Sequence, residues 1–117
     1  MLLARVIFFL MGFGVAWAGP LLTGTASWYG EEHRGKLMAD GRRFDPDLLT
    51  AASWAYPLGT KVRVSAAGST NMVEVTITDR GPNRKLVRQG RIIDLSAAAF
   101  ARLADRERGV IQVTVQD

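Results

Sequence analysis

Hydrophobic and polar residues alternate over several short segments of the chain, a pattern typical of β-strands. Two of these segments, 60–66 (TKVRVSA) and 71–79 (NMVEVTITD), are separated by a Gly68-Ser69 turn, which predicts a hairpin. The full set of predicted strands comprises 24–30, 48–53, 60–66, 71–79, 91–94 and 110–116. Glycine and proline recur in the loops between them, which is typical of short strands joined by tight turns.

One helix is predicted after Ser96, whose hydroxyl can cap its first turn. Its apolar stripe consists of Ala97, Phe100, Ala101 and Leu103, and Gly109 lies beyond its end. Six short strands with one or two short helices place the chain in the mainly-β class and predict a small closed β-barrel. An open sandwich of the same strands is the alternative.

Asp79 ends the strand at 71–79 in phase with Val73, Val75 and Ile77, the face that the pattern predicts to be buried. An unpaired carboxylate in a dry site would cost several kcal/mol. Two interpretations therefore stay open. Asp79 is structural, with its oxygens accepting the N–H groups of Gly81 and its neighbours, or it is an acid–base residue in a cleft.

The first 18 residues have the features of a signal peptide. Arg5 precedes an apolar run at 6–15 that is too short to span a membrane, and Ala16-Trp17-Ala18 supplies a cleavage site. An uncleaved N-terminal anchor is the alternative. Cleavage would leave one domain, predicted over residues 22–116, in the periplasm or outside the cell, and the chain has no cysteine for a disulfide or a lipid anchor.

Removal of this segment would leave 14 basic and 11 acidic residues. Five of the basic residues crowd the loop after Asp79: Arg80, Arg84, Lys85, Arg88 and Arg91. In an exported protein, an anionic polymer of the envelope fits such a cluster better than nucleic acid, and a solvated loop is the alternative. We expect no metal or other cofactor, because His33 is the only histidine and no metal-ligand spacing is found.

Several motifs occur in an order that resembles a known family. They are ASWYG at 26–30, ADGRRFD at 39–45, LTAAS…PLGTKVRV at 49–64, VTITDRGP at 75–82 and RIIDLSAAAFARL at 91–103. Together they resemble the rare lipoprotein A (RlpA) family. The resemblance implies a six-stranded double-psi β-barrel that acts on peptidoglycan. Studied members are lytic transglycosylases, which cleave between N-acetylmuramic acid and N-acetylglucosamine and leave a 1,6-anhydro end.

The chain departs from the family at two polar positions. Active members have glutamate directly after the glycine of the A-(N/D)-G turn, where this chain has Arg42, and histidine after TAA, where it has Ser53. The aspartate of DRGP is present as Asp79. One carboxyl group suffices for a lytic transglycosylase, because the 6-hydroxyl of the sugar is the nucleophile. We therefore expect a weak or specialised lytic transglycosylase with Asp79 as acid and base.

The residues expected to bind substrate are Trp28, Tyr29, Arg42, Ser53, Tyr56, Arg80 and Asp94. For several of them a structural role is the alternative. Trp28 or Tyr29 would pack in the core, and Asp94 would be mainly structural. An exposed Trp54–Tyr56 pair could stack on sugar rings. The segment 31–33 (EEH) is either a solvated loop or a source of the missing acid.

The alternative function is expansin-like: the cleft binds glycan or an anionic wall polymer without cutting it. Arg42 favours this alternative, because a guanidinium binds anions but cannot act as a general acid. The expected partner is the glycan of peptidoglycan, and no nucleic acid, cofactor or stable membrane anchor after signal cleavage is expected. We expect a monomer. An inhibitor or another partner-binding barrel is supported only by the versatility of the fold.

Overall fold

The computed structural model describes residues 17–117. They form strands β1 (Leu22–Tyr29), β2 (Thr50–Ala52), β3 (Lys61–Ala66), β4 (Met72–Asp79), β5 (Arg91–Ser96) and β6 (Ile111–Gln116). The two short helices are α1 (Arg84–Arg88) and α2 (Ala97–Ala101), and single 3-10 turns occupy Glu31–His33 and Arg106–Arg108. The predicted strands are all present; β1 begins two residues earlier than predicted, and β5 continues to Ser96.

The strands close into a barrel in the order β1-β5-β2-β4-β3-β6. β1 pairs in parallel with β5 and β2 with β4, whereas all other neighbours are antiparallel. Each strand therefore has two partners, and the barrel has no free edge. The predicted closed barrel and the β3–β4 hairpin are confirmed, and the open sandwich is excluded.

Alternate residues of the strands fill the barrel, as the pattern predicts. Val73, Val75 and Ile77 of β4 are at most 4% exposed. Equivalent positions on the other strands and Phe100 of α2 complete one core: Ala26, Ala51, Val62, Val64, Ile93, Leu95, Ile111, Val113 and Val115. The burial of these β-branched and aliphatic side chains is the main favourable term in folding.

The two helices differ in how well the sequence predicted them. Ser96 caps α2 as expected, because its Oγ accepts the N–H of Ala99 at 3.2 Å. α2 ends at Ala101, and Leu103 is buried in the turn that follows. The loop predicted after Asp79 contains α1, capped by Asn83. The only apolar residues of α1, Leu86 and Val87, are adjacent, so the helix has no apolar pair at i, i+3 or i, i+4 by which the sequence could have predicted it.

The predicted signal peptide lies almost wholly outside the described residues. Gly19 donates its N–H to the Asp117 carbonyl at 3.1 Å and accepts the Gln116 side chain at 2.8 Å. The two ends of the described chain therefore lie side by side at one end of β6. Within residues 17–117, the helices are too short and too polar to cross a bilayer.

Candidate functional site

The ends of β1, β2, β4 and β5 meet around a cavity of about 270 Å³. Its lining comprises Ser27, Trp28, Tyr29, His33, Ala52, Asp79, Arg80 and Asp94. Ala52 pairs with Asp79 on one side and with Asp94 on the other. The two aspartates therefore flank one residue, with their Cα atoms roughly 9–10 Å apart across two strand spacings. The strand register brings both acids to one cavity.

Asp79 lies at the rim of the barrel and is half-buried. Its Oδ1 accepts the N–H of Ala39 and the N–H of Arg80, both at 2.9 Å. The first bond ties the A-D-G turn to the end of β4, and the N–H of Asp40 donates to the Thr78 carbonyl at 3.1 Å beside it. Asp79 therefore has the structural role considered from the sequence, through Ala39 and Arg80, and it also lines the cavity.

Asp94 is held differently, inside β5. Its Oδ1 accepts the hydroxyl of Ser27, the residue opposite it on the parallel strand β1. Burial raises the pKa of Asp94 above its ordinary value, and the Ser27 hydrogen bond and the charge of Arg91 offset only part of that effect. Asp94 therefore retains its proton to higher pH than a solvated aspartate does.

Gly81 brings the DRGP turn over this carboxyl group. A Cβ atom built on Gly81 would lie 3.7 Å from Asp94 Oδ2 and 3.4 Å from the Ala52 side chain. The backbone there has a φ of +156°, which L side chains rarely adopt. Both distances are ordinary van der Waals contacts, so the backbone conformation, and not a lack of space, favours glycine where the DRGP turn reaches the RIIDLS strand.

Both aromatic residues of ASWYG line the cavity, and both also pack. Tyr29 stacks on Phe44 with ring centroids 4.6 Å apart, and its edge meets His33 at 5.3 Å. Burial raises the pKa of Tyr29 above its ordinary value, and the charges of Asp79 and Asp94 raise it further. Trp28 donates its indole N–H to the Arg106 carbonyl at 2.9 Å. Trp28 and Tyr29 therefore both contact neighbouring residues of the fold and line the cavity.

Arg80 supports the wall of the cavity by binding backbone carbonyls. Its Nη1 donates to Ser53 O at 2.8 Å and to Tyr56 O at 2.6 Å. Arg91 donates from Nε to Thr25 Oγ1 at 3.1 Å. Among the described residues, neither arginine forms an ion pair with Asp79.

Arg42 is paired within its own turn. Its Nε and Nη2 lie 2.9 and 2.8 Å from Asp40 Oδ2, and its N–H donates to Asp40 Oδ1. Desolvation alone would raise the pKa of Asp40, but these contacts outweigh it and hold the pKa below its ordinary value. The arginine that replaces the family glutamate therefore neutralises a neighbouring aspartate and does not line the cavity.

Two other predicted binding residues lie inside the protein. Ser53 is 1% exposed, and its Oγ accepts the N–H of Ala55 at 3.0 Å, which closes a turn after β2. Tyr56 is 8% exposed and belongs to the core. The considered exposed pair of Trp54 and Tyr56 is therefore not formed, because only Trp54 reaches the surface.

The segment 31–33 forms the 3-10 turn beside the cavity. Glu31 pairs with Arg34 at 2.6 Å, and Glu32 lies 3.9 Å from His33. Only His33 of the three lines the cavity. In the described part of the chain, no three His, Cys, Asp or Glu side chains group closely enough to hold a metal ion.

Sequence reasoning placed the catalytic role on Asp79 and gave Asp94 a lesser one, and it did not single out Ser27. The relevant signal was the pairing of ASWYG with RIIDLS, since a parallel β1–β5 pair puts Ser27 beside Asp94. Parallel pairing of distant strands cannot be read from alternation alone. The burial of Asp94 follows from that pairing.

The crossed parallel pairs in a closed six-stranded barrel define the double-psi class. A family profile described as "Lytic transglycolase" matches residues 22–115, so the chain belongs to that family. The resemblance to RlpA is also confirmed: the probable endolytic peptidoglycan transglycosylase RlpA of Synechocystis sp. is 41% identical over 92 residues. That match covers 79% of this chain and 27% of the relative, so the chain spans about a quarter of its relative's length.

Solved structures show the same fold. The Streptomyces papain inhibitor aligns with a TM-score of 0.65 at 30% identity, over 84% of this chain and 94% of that protein. A point mutant of the Clavibacter michiganensis expansin, in complex with cellohexaose, aligns with a TM-score of 0.61 at 19% identity. This match covers 84% of this chain and 50% of the expansin, and it supports the fold.

Proposed function

We propose that the chain is an exported peptidoglycan-acting protein and a weak or specialised lytic transglycosylase. One observation carries the proposal: Asp79 and Asp94 flank Ala52 and line the same cavity. Relatives named endolytic peptidoglycan transglycosylases supply the substrate class. Activity is expected to be low, because Arg42 and Ser53 replace the two other polar groups of active members and neither side chain lines the cavity.

In this mechanism Asp94 is the acid, because burial raises the pKa of its carboxyl group and that group lines the cavity together with Asp79. Asp94 protonates the glycosidic oxygen, and the bond from that oxygen to C1 of the N-acetylmuramic acid breaks. The 6-hydroxyl of the same sugar forms the new bond to C1. Its proton passes to Asp79, the other carboxyl group of the cavity. The products are a 1,6-anhydro end and a free 4-hydroxyl on N-acetylglucosamine, without addition of water.

The test is release of anhydro-muramoyl ends from peptide-free glycan strands. We expect product from the parent and at least about a hundredfold less from Asp94→Asn and from Asp79→Asn. Asp105→Asn is the matched control, because asparagine can still accept the N–H of Glu107 that Asp105 caps. No product from the parent, or equal product from all three variants, would end the enzyme proposal.

The alternative is non-catalytic binding of glycan or of an anionic wall polymer. The replacements at Arg42 and Ser53 favour this alternative. The ion pair with Asp40 makes Arg42 itself a weak candidate for binding the polymer. Because the Arg42–Asp40 pair carries no net charge, removal of both charges in Arg42→Gln with Asp40→Asn should change retention on insoluble peptidoglycan less than about twofold. Retention should fall steeply with salt if cations bind the polymer. Salt-insensitive retention, or none, would remove the electrostatic form of this alternative.

Inhibition of a cysteine protease is another candidate. It is favoured by the papain inhibitor, which this chain matches over nearly the whole of that protein's length. Titration of papain with purified protein tests it directly. Unchanged papain activity at a large excess of this protein would remove the candidate.

Export and processing complete the proposal. Mass spectrometry of the protein recovered from the bacterial envelope should show a chain beginning at Gly19. A chain that still carries Arg5 and the apolar run would instead be N-terminally anchored. We expect the processed protein to be monomeric, which light scattering would check.

A further inference from the structure

A second cavity, of about 260 Å³, lies on the outside of the barrel beside α1. Five apolar residues line it: Leu22, Trp54, Ala55, Val87 and Ile92. Leu22 is the lining residue farthest along β1 from the cavity of Asp79 and Asp94 (the aspartate cavity), about 20 Å from Trp28. Trp54 and Ile92 lie only two residues from Ala52 and Asp94, so the two cavities are neighbours. We call this second cavity the α1 groove. It shares no lining residue with the aspartate cavity.

Trp54 is held in place at the edge of the α1 groove although it is 41% exposed. Its indole N–H donates to the Pro82 carbonyl at 2.6 Å, and the Arg84 guanidinium lies 3.9 Å from the ring centre. An indole whose N–H is already paired can enter an apolar medium without leaving that donor unpaired. The Trp54 ring is therefore exposed at the surface, and its one polar group is already hydrogen-bonded.

Two of the chain segments that line the groove carry cations and no acids, although Asp117 lies close enough to Tyr56, the residue after Ala55, for its charge to raise the pKa of that tyrosine. Residues 48–73 and 80–93 contain no Asp or Glu, whereas 80–93 contain five Arg and Lys. Arg84, Lys85 and Arg88 of α1 form no ion pair with any described residue. Val87 lies between Lys85 and Arg88 on the same helix and lines the groove. An apolar groove thus has a cationic border.

We propose that the α1 groove docks reversibly on an anionic lipid bilayer. Trp54 and the groove would lie at the boundary between headgroups and acyl chains, and the α1 cations would lie at the lipid phosphates. A purely polar polyanion would leave the apolar groove unused. A protein partner is disfavoured, because stable interfaces bury about 1,000 Å² or more and the closed barrel offers no strand edge to extend one.

The experiment measures partitioning into vesicles. The protein used begins at Gly19, because the barrel and its core lie within Gly19–Asp117 and the apolar run at 6–15 would itself partition. Vesicles of phosphatidylcholine with about a third phosphatidylglycerol should bind it, and pure phosphatidylcholine should not. Lys85→Gln with Arg88→Gln should lower the partition coefficient about 25-fold, from about fivefold per cation.

The matched control is Arg102→Gln with Arg108→Gln. It removes the same charge from two exposed residues that do not line the groove, and it should change partitioning less than about threefold. Equal losses in the two double variants would overturn the proposal, because they would reflect net charge alone. Equal binding to both vesicle types, or to neither, would also overturn it.

Insertion of the groove is tested separately. Bromine atoms on the acyl chains should quench tryptophan fluorescence in the parent, and this quenching should be lost in Trp54→Phe, which keeps an aromatic ring. Ala55→Asp changes an exposed side chain and should abolish binding by placing a carboxylate in the groove. Binding without quenching, or undiminished binding of Ala55→Asp, would show that the groove does not enter the bilayer.

Discussion

The two aspartates of the cavity pair with the same residue, Ala52, but lie in different environments. Asp79 ends β4 at the rim, where two backbone N–H groups hold its Oδ1. Asp94 lies within β5, where one serine hydroxyl and burial act on it. Both are beside Ala52, yet the first organises a turn, whereas burial raises the pKa of the second. Position along a strand therefore gives them different chemical properties.

The largest effect of a substitution at these aspartates is expected on the proposed reaction. Asp94→Asn should lower release of anhydro-sugars at least about a hundredfold while the protein stays folded, because asparagine cannot supply the proton. Asp94→Glu should recover part of the loss, since it restores a carboxylic acid one methylene away. Full activity of Asp94→Asn in the glycan assay would mean that the acid lies elsewhere.

The structural role of Asp79 is separated from chemistry by comparing two substitutions. Asp79→Ala leaves the N–H groups of Ala39 and Arg80 without their acceptor and should lower the free energy of unfolding by about 2–3 kcal/mol. Asp79→Asn keeps an acceptor oxygen and should cost less than about 1 kcal/mol. Urea denaturation checks both. Equal costs would show that these hydrogen bonds do not anchor the turn.

Two tyrosines provide a comparison between the cavity and the core. The hydroxyls of Tyr29 and Tyr56 are buried and have no hydrogen-bond partner among the described residues. Removal of an unpaired buried hydroxyl is neutral or stabilising, so each Tyr→Phe change should raise the free energy of unfolding by up to about 1 kcal/mol. A loss of stability in Tyr29→Phe alone would show that its hydroxyl bonds to one of the aspartates in solution.

The smallest expected effect is a pH dependence of stability. The folded pKa of Asp94 is raised above its unfolded value, so its ionisation destabilises the fold. This cost is absent below the ordinary aspartate pKa, grows as pH rises, and is complete above the folded pKa. Asp94→Asn should therefore raise Tm relative to the parent more at pH 7 than at pH 3. An advantage that is the same at both pH values would contradict this sign.

The alternation of hydrophobic and polar residues was sufficient to predict the barrel but not its candidate site. Val73, Val75 and Ile77 alternate so regularly that their strand, its buried face and its hairpin could be predicted. The same phase placed Asp79 toward the interior, but at a strand end the barrel opens and Asp79 is only half-buried. Local periodicity does not tell how far a strand extends into the core.

The contacts on which the proposed chemistry depends come from residues far apart in the chain. Ser27 and Asp94 are 67 positions apart and meet only because β1 and β5 pair in parallel. Likewise, the spacing of Arg42 matched the family turn, but its pairing with Asp40 depends on a side-chain conformation. The family resemblance indicated which positions belong to the site. Only the three-dimensional structure shows that Ser27 contacts Asp94 and that Asp40 pairs with Arg42.

The central claim is that burial in the cavity raises the pKa of Asp94. A site-resolved titration of the Asp94 side-chain carboxyl carbon by NMR tests it, with Ser27→Ala and Arg91→Gln as companion variants. The account predicts a pKa above the ordinary aspartate value of about 3.9. The pKa of Asp94 should rise further in both variants. The rise should be larger in Ser27→Ala than in Arg91→Gln, because the Ser27 hydrogen bond lowers the pKa more than the Arg91 charge does. A pKa at or below the ordinary value would contradict the account.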